Sequence, residues 1–355
     1  MRGFGGPQVL RVESATTPTV APGTALVRVA AVAVSRTRDA ATRGGLHPFS
    51  RAVTLPHVLG GDCAGVVAAT GAGVDPTLVG RPVAVMNHHL CGSCPACRRG
   101  AEHECERMEM LGIHRWGSYA EYALVHADGL HLVPEDLDLV EAAAMAAAGP
   151  LALTQLRAAG VRAGDHVVVP GVTGAVGSTV AALCTVLGAV AVGLSRRAPL
   201  QSAGAASGGP LLLAALQPDL ADAIVRASGG VRPRAAIDNV CAPAVFSGYW
   251  PALAHAATIV VSGAIGDPEL AVLPVPARDL YSRSISLLGV RSHLTGATQD
   301  FWQLVWDGFR LPAGLLRTWV LEQAAEAHGS LGEPVHGHTV LVVGEGGAAA
   351  GGASR

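Results

Sequence analysis

The sequence has little charge and no excess of either sign. Charged residues make up 15% of the 355 positions, and 25 basic residues nearly balance 27 acidic ones, so the formal net charge is only −2. This balance excludes the basic surplus of a nucleic-acid-binding protein and the acidity of a solvating tail. We therefore predict a small-molecule substrate as the partner, and no nucleic acid.

The N-terminus lacks the apolar core of a secretory signal peptide. Its first residues read MRGFGGPQVLRVE, and the chain is therefore expected to be cytoplasmic. Residues 171–194 carry no charge and match a membrane span in length. This stretch divides into a glycine-containing helical half and a β-branched half, which favours a buried helix followed by a buried strand. We predict no membrane partner.

The length allows two domains with separate cores. Short valine-rich segments such as ALVRVAAVAV and CAGVVAAT fill the first 140 or so positions and predict a β-rich domain. From Gly164 onward, apolar strands alternate with glycine turns and helices, the pattern of a parallel sheet covered on both faces. The predicted class is α/β, and the glycine-rich residues 344–355 are expected to be a disordered tail.

A glycine turn follows the apolar strand VVV and opens a helix. Such turns let the backbone approach a pyrophosphate, although they also occur for packing reasons. The next strand ends in Ser195, Arg196 and Arg197, beginning 18 positions after Gly177, near the place where an acidic residue would hold the ribose of NAD. Two arginines there indicate NADPH, unless they are only a solvated pair on a strand end. The predicted cofactor-binding residues are Gly171, Thr173, Gly174, Ala175, Val176, Gly177, Ser195, Arg196 and Arg197.

Four of the seven cysteines lie in the single stretch CGSCPACRRGAEHEC. The CxxCxxC spacing lets thiolates converge on one ion, and the alternative of disulfides is disfavoured in a chain without an export signal. Four thiolates leave no open position for a substrate, so the predicted metal is one structural zinc. Its ligands are Cys91, Cys94, Cys97 and Cys105.

The cysteine loop and its flanking segments resemble the medium-chain dehydrogenase/reductase superfamily, in particular its zinc-containing alcohol dehydrogenase branch. The resemblance also includes LPHVLGGDCAGVV, VGRPVAV, GSYAEYALV, AAGVRAGDHVVV, the glycine turn and GHTVLVV. It implies a GroES-like β domain in residues 1–148, completed by 291–343, and a doubly wound Rossmann NADP-binding domain in residues 149–290. It also implies a homo-oligomer, either a dimer or a tetramer.

The resemblance further implies three ligands for a catalytic zinc, and none of them is found. The first position is Ser35 or Arg36 instead of cysteine, Gly61 replaces the histidine of a GHE motif, and the third position is Ala147 or Ala148. Asp62 alone cannot hold zinc. Cys63, His88 and His89 are the residues from which another site could be rebuilt, but a free buried thiol and solvent-facing histidines are the ordinary explanation and the favoured one.

Without a catalytic zinc, the favoured function is NADPH-dependent reduction of an activated C=C or C=N bond in an enone, quinone or iminium compound. A zinc-free carbonyl reductase or alcohol dehydrogenase is the first alternative, and a non-redox NADPH-binding sensor or cyclisation template is the second. Ser35, Arg36, Thr37 and Asp62 are the candidates for proton delivery and anion stabilisation. Asp62 has a competing role as a support for Arg36 or Arg38.

Overall fold

The computed structural model of the protein describes residues 1–196, 209–263, 272–291, 295–333 and 336–344. The chain divides into two compact units. Unit 1 consists of Met1–Ala147 and Thr298–Arg355, and unit 2 of Ala148–Ala297.

In chain order, the strands of the described residues are β1 (Thr24–Ala33), β2 (Asp62–Thr70), β3 (Pro82–Val85), β4 (His88–His89), β5 (Glu109–Met110), β6 (Tyr122–His126), β7 (Leu130–Leu132), β8 (His166–Pro170), β9 (Val190–Ser195), β10 (Leu211–Ala214), β11 (Ala235–Asp238), β12 (Thr258–Val261), β13 (Ser286–Gly289), β14 (Leu316–Val320) and β15 (His338–Val342). The helices are α1 (Ala41–Arg43), α2 (Pro95–Arg98), α3 (Leu139–Ala158), α4 (Ala175–Val186), α5 (Leu220–Ala227), α6 (Pro243–Tyr249), α7 (Ala277–Ser282), α8 (Thr295–Trp306) and α9 (Ala324–Ser330).

Unit 1 is built on one mixed sheet with the strand order β14-β15-β1-β2-β3-β7, and β6 also pairs with β1. The alternating apolar residues of β1 are buried, as expected for strands that cover a core on one side. Ala33 at the end of β1 lies opposite both Asp62 of β2 and Val340 of β15. The last described strand therefore joins the same sheet region as the first two.

Unit 2 contains a six-stranded parallel sheet with the order β10-β9-β8-β11-β12-β13. Its strands are short and apolar, and residues such as Val168, Leu194 and Ile259 pack with Phe246 in one core cluster. The strand order reverses between β8 and β11, the kind of position where ligands bind at the carboxyl ends of parallel strands. The predicted α/β class, a β-rich domain plus a doubly wound parallel sheet, is confirmed.

Residues 171–194 form the predicted helix and strand, namely α4 and β9. A different helix, α3, is long and apolar enough to cross a membrane by length and composition. However, 72% of its most apolar window is buried inside the structure, as in the core helix of a folded domain.

Candidate functional site

The four loop cysteines of unit 1 converge on one point. Sγ of Cys91 lies 3.9 Å from Sγ of Cys97 and 3.7 Å from Sγ of Cys105, and all four sulfurs are within 4.8 Å of one another. Sulfurs bonded to one tetrahedral zinc at about 2.3 Å stand about 3.8 Å apart, whereas a disulfide requires about 2.05 Å. The four residues are free thiols, and their arrangement fits a zinc ion.

Local backbone structure prepares two of these thiols, Cys91 and Cys94, for a metal, whereas burial raises the pKa of Cys97 to about 12. Cys94 is the N-cap of α2, and its Sγ accepts the backbone N–H of Cys97 at 3.4 Å. The backbone N–H of Ser93 lowers the pKa of Cys91 to about 5, and that of Cys97 lowers the pKa of Cys94. Because the thiolate is the form that binds metal, these backbone amides favour binding. Four thiolates close the coordination shell, so the ion is structural.

A second polar centre of unit 1 surrounds Arg38, in the π-helical turn Arg36–Ala40 that follows β1. Nε and Nη2 of Arg38 donate to the two carboxylate oxygens of Asp39, each at 3.0 Å, and Nη1 donates to Oδ1 of Asp62 at 2.5 Å. The three side chains are only 8%, 1% and 10% exposed. They form a buried ion triad of one cation and two carboxylates.

Electrostatics keeps this arginine charged. Burial alone would lower the pKa of Arg38, but the carboxylates of Asp39 and Asp62 raise it above its ordinary value. Burial raises the pKa of Asp39, and the guanidinium opposes that shift. Arg38 is therefore a fixed cation, and its pairing with two carboxylates offsets the cost of its burial.

Two further residues, Asn87 and Ser35, donate hydrogen bonds to the carboxylates of the ion triad. Nδ2 of Asn87 donates to Oδ1 of Asp62 at 2.5 Å. The backbone N–H of Ser35 donates to Asp39 at 2.8 Å, and Oγ of Ser35 accepts the backbone N–H of Arg38 at 3.2 Å. Since a hydroxyl can accept and donate at the same time, this bond leaves the Ser35 hydrogen available for another acceptor.

Arg38 also determines which residue can stand at position 61. A Cβ built on Gly61 would lie 2.8 Å from Cζ of Arg38 and 3.0 Å from the carbonyl oxygen of Leu111. Three charge-assisted hydrogen bonds hold that guanidinium, so it cannot move aside at low cost. Position 61, where the resemblance implies a histidine ligand, therefore has no room for a side chain while Arg38 is in place.

The structure separates the four sequence-predicted catalytic residues. Asp62 is buried in the ion triad, and Ser35 is half-buried beside it. Arg36 and Thr37 are exposed, and Nη1 of Arg36 donates to the carbonyl oxygen of Leu331 at 3.3 Å. The arginine that pairs with Asp62 is thus Arg38, one of the two alternatives that the sequence left open.

Two buried histidines of unit 1 were missed by the sequence reasoning. Burial lowers the pKa of His338 to about 4, while the backbone of Ala144 and the carboxylate of Asp62 oppose that shift. Nδ1 of His328 lies 3.2 Å from Nη1 of Arg43. Both histidines come from the C-terminal part of the chain, and no local motif marks them.

Nε2 of His328 lies 2.9 Å from the hydroxyl oxygen of Tyr119. A guanidinium can only donate, so Nδ1 of His328 accepts from Arg43 and Nε2 carries the proton. Burial, followed by Arg43, lowers the pKa of His328 to about 3, which keeps the ring neutral. The Nε2–H therefore donates to Tyr119, whose hydroxyl hydrogen can serve a further acceptor.

The residues suggested for a rebuilt metal site are not gathered in one place. Cys63 is fully buried, and burial raises its pKa to about 12, so the thiol is neutral. His88 is buried as well. In the described part of the chain, two groups of side chains have metal-ligand spacing: the four loop cysteines and the group His89, His126 and Asp128.

The glycine turn of unit 2 fits a phosphate group. Gly171 has a positive φ of 70°, and a Cβ on Gly177 would lie 2.3 Å from the carbonyl oxygen of Gly171. Gly174 is the N-cap of α4, and the first helical bond runs from the Ser178 N–H to the Gly174 carbonyl at 2.8 Å. The N–H groups of the preceding helical residues are those that a helix leaves unpaired and that bind anions. These residues are Ala175, Val176 and Gly177.

The end of β9 lies beside the end of β8, since Leu194 pairs with Pro170. Ser195 is half-buried there, and Arg196 is exposed. No carboxylate stands at either position, and Arg197 lies outside the described residues. The glycine turn and this strand end occupy the places where a Rossmann domain holds the pyrophosphate and the ribose of a nicotinamide dinucleotide.

Comparison with known proteins agrees with this architecture. The family "Alcohol dehydrogenase GroES-like domain" matches residues 21–135. An alcohol dehydrogenase of Geobacillus stearothermophilus is 27% identical over 82% of this chain and 85% of its own. The 2-dehydro-3-deoxy-L-galactonate 5-dehydrogenase of Pseudoalteromonas atlantica is 34% identical, but the match spans only 39% of this chain and 40% of that enzyme.

Similarity to a solved structure extends over both units. The crystal structure of an NAD-dependent alcohol dehydrogenase is 30% identical, with a TM-score of 0.87 over 97% of this chain and 98% of that one. The two-unit fold of this chain agrees with these matches. The chain belongs to the medium-chain dehydrogenase/reductase superfamily of NAD(P)-dependent oxidoreductases, in its zinc-type alcohol dehydrogenase-like branch.

Proposed function

We propose that the protein is an NADPH-dependent reductase that works without a catalytic zinc and reduces an activated C=C or C=N bond of a small molecule. The observation that carries the proposal is the buried guanidinium of Arg38, bound to Asp39 and Asp62 and standing against Gly61. A fixed organic cation takes the space and the carboxylate partners that a metal site would need.

The ligand count supports the same conclusion. A catalytic zinc is held by three protein ligands from cysteine, histidine or a carboxylate. The windows that the resemblance assigns to those ligands contain Ser35 or Arg36, then Gly61, then Ala147 or Ala148. The carboxylates of these segments are Asp39 and Asp62, and Arg38 binds both of them. Asn87 also donates to Asp62.

The missing Lewis acid decides which reactions are feasible. Zinc lowers the pKa of a bound alcohol and polarises a carbonyl, so simple alcohols are poor substrates without it. NADPH, when bound, supplies the hydride. An enone, quinone or iminium compound is already electrophilic, and the protein must mainly orient it and stabilise or protonate the product.

Ser35 is the residue best suited to that task. It is half-buried next to the ion triad, and its Oγ accepts the N–H of Arg38, which leaves its hydrogen free to donate. Asp62 is a weaker candidate for proton delivery because two donors, Arg38 and Asn87, already share its Oδ1. We assign Asp62 to positioning Arg38 and Ser35 to hydrogen bonding with the developing anion.

The preference for NADPH rests on the end of β9. An acidic residue there would bind the ribose hydroxyls of NADH and repel the 2′-phosphate of NADPH. Arg196 is exposed instead, and its guanidinium can form charge-assisted hydrogen bonds to that phosphate. The glycine turn would hold the pyrophosphate on the free N–H groups of α4.

The cytoplasmic location and the homo-oligomer remain predictions.

The test is a turnover screen with purified protein. NADPH is mixed with an enone, a quinone, a cyclic imine or an aldehyde. In a separate reaction, the oxidised cofactor is mixed with a primary alcohol. The absorbance of the reduced nicotinamide is followed in each case. We expect NADPH to be consumed with one of the first three classes, and Ser35→Ala to lower kcat about 100-fold. Ser14→Ala, at an exposed serine, is the matched control.

Three results would contradict the proposal. Turnover of the aldehyde alone would favour the zinc-free carbonyl reductase, and product analysis would identify it. Tight NADPH binding without consumption in any reaction would favour a non-redox binding protein. Vigorous oxidation of a primary alcohol that disappears with a chelator, while the fold persists, would show that a catalytic metal is present.

A further inference from the structure

A group of side chains that shares no member with the cysteine site or the ion triad also has the composition of a metal site. The rings of His89 and His126 stack in parallel, with centroids 3.6 Å apart and an interplanar angle of 8°. Nδ1 of His89 lies 2.9 Å from one carboxylate oxygen of Asp128 and 3.1 Å from the other. Nε2 of His126 lies 3.2 Å from Oε2 of Glu109.

Four short elements bring these residues together. His89 in β4 pairs with Glu109 in β5, and these two strands close the base of the cysteine loop. His126 is the last residue of β6, and Asp128 lies in the 3-10 turn Ala127–Gly129 that follows. The group therefore joins the base of the loop to another strand of unit 1, and it includes none of the four cysteines.

We propose that His89, His126 and Asp128 bind an exchangeable divalent transition-metal ion. One ligand atom from each of the three lies within 4.8 Å of the others. Imidazole nitrogen with carboxylate oxygen is a donor set that suits zinc, nickel or copper. Ligand atoms bonded to one ion at 2.0 to 2.1 Å stand about 3.3 Å apart, close to the observed spacing between His89 and Asp128.

Glu109 has the role of orienting one ligand. A carboxylate that faces Nε2 of His126 fixes the proton on that nitrogen and leaves Nδ1 as the donor to the ion, as carboxylates commonly do behind metal-bound histidines. Arg115 lies 4.0 Å from the same Glu109 oxygen and is a competing cation. Glu109 and Asp128 together still provide two negative charges for a divalent ion.

Stacked rings hold their nitrogen lone pairs in two separate parallel planes, so one ring must tilt before both nitrogens reach the same ion. The space for this movement exists, since the side chains of His89 and His126 are 27% and 25% exposed and that of Asp128 is 59% exposed. Three protein ligands leave coordination positions for water. The ion should therefore exchange readily, unlike zinc in the cysteine site.

Nickel titration of the full-length protein tests the proposal. Protein carrying zinc in the cysteine site is dialysed to remove weakly held metal and titrated with Ni²⁺ by calorimetry, and its zinc content is measured before and after. We expect one Ni²⁺ per chain with no loss of zinc. His126→Gln and Asp128→Asn should each weaken binding at least about 10-fold, whereas His255→Gln, at an exposed histidine of unit 2, should leave it unchanged.

Asp128 is an exposed residue, so Asp128→Asn provides a folded variant even if His126→Gln perturbs β6. Absence of saturable Ni²⁺ binding in the wild type would overturn the proposal. So would nickel binding that both variants retain at full affinity, or uptake matched by an equal release of zinc.

Discussion

Replacing Arg38 by methionine removes the buried cation and keeps most of the side-chain volume. Asp39 then loses two hydrogen bonds and Asp62 loses one. Breaking a buried ion pair by removing one partner costs about 3 to 5 kcal/mol. Because Asn87 and the Ser35 N–H still donate to the carboxylates, we expect a loss of about 4 kcal/mol in the free energy of unfolding, near the middle of that range.

The pH dependence of this loss has a definite sign. In the variant, at least one carboxyl group is buried without its cation, so its folded-state pKa rises above the unfolded value. Such a group contributes stability below its unfolded pKa and loses it as the pH rises through the folded pKa. The deficit of Arg38→Met should therefore be largest near pH 7 and shrink as the pH falls towards about 5.

Urea unfolding followed by tryptophan fluorescence is a suitable assay because most of the signal comes from unit 1. Four of the five tryptophans belong to that unit: Trp116, Trp302, Trp306 and Trp319. The control is Arg28→Met, at an exposed arginine of β1, for which we expect a change within about 0.5 kcal/mol. The triple variant Arg38→Met, Asp39→Asn, Asp62→Asn should recover at least half of the loss, because it buries no uncompensated charge.

A loss of unfolding free energy below about 1 kcal/mol in Arg38→Met would refute the assignment of a buried ion triad. Ion pairs of that strength are typical of exposed positions. A deficit that grows rather than shrinks at lower pH would refute the electrostatic reasoning even if the size of the loss agreed.

Three further predictions address the zinc site, the cofactor and the buried histidines. Cys97→Ser should lower the zinc content and thermal stability and make the loop sensitive to protease, as measured by metal analysis and limited digestion; unchanged zinc would contradict the four-sulfur site. The double variant Ser195→Asp, Arg196→Leu should shift the ratio of kcat/KM for NADPH over NADH towards NADH, and a wild type without preference would contradict the role assigned to the β9 end. The folded-state pKa of His338 is about 4, below its ordinary value of 6.5, so the wild type should lose up to about 3 kcal/mol as the pH falls between these values. His338→Gln should show a smaller loss in the same unfolding experiment, and an equal pH dependence would exclude this histidine as the cause.

The parts of the molecule that depend on local spacing could be predicted from the sequence. The cysteine ligands lie within one short loop, so their spacing alone indicates a shared metal. The glycine turn connects a strand and a helix that follow each other directly, and β8, α4 and β9 appear where the apolar pattern indicates them. Strand β10 was missed, because the short run LLLA gives no signal of its own.

The ion triad could not be predicted in the same way, because it depends on tertiary structure. Arg38 and Asp62 are 24 positions apart, and they meet because a π-helical turn after β1 directs the arginine towards the start of β2. The sequence left Arg36 and Arg38 as equal partners for Asp62, and the burial of one side chain decides between them. The effect of Asp62 on the pKa of His338 likewise joins distant parts of the chain, since β15, which begins at His338, pairs with β1.

Zinc-edge X-ray absorption of chelator-dialysed protein that retains activity tests whether the one firmly bound zinc is structural and whether the reaction proceeds without another. We predict one zinc per chain with a shell of four sulfurs at about 2.3 Å. Two zinc ions per chain, or nitrogen and oxygen atoms in the average zinc shell of the active protein, would contradict this prediction.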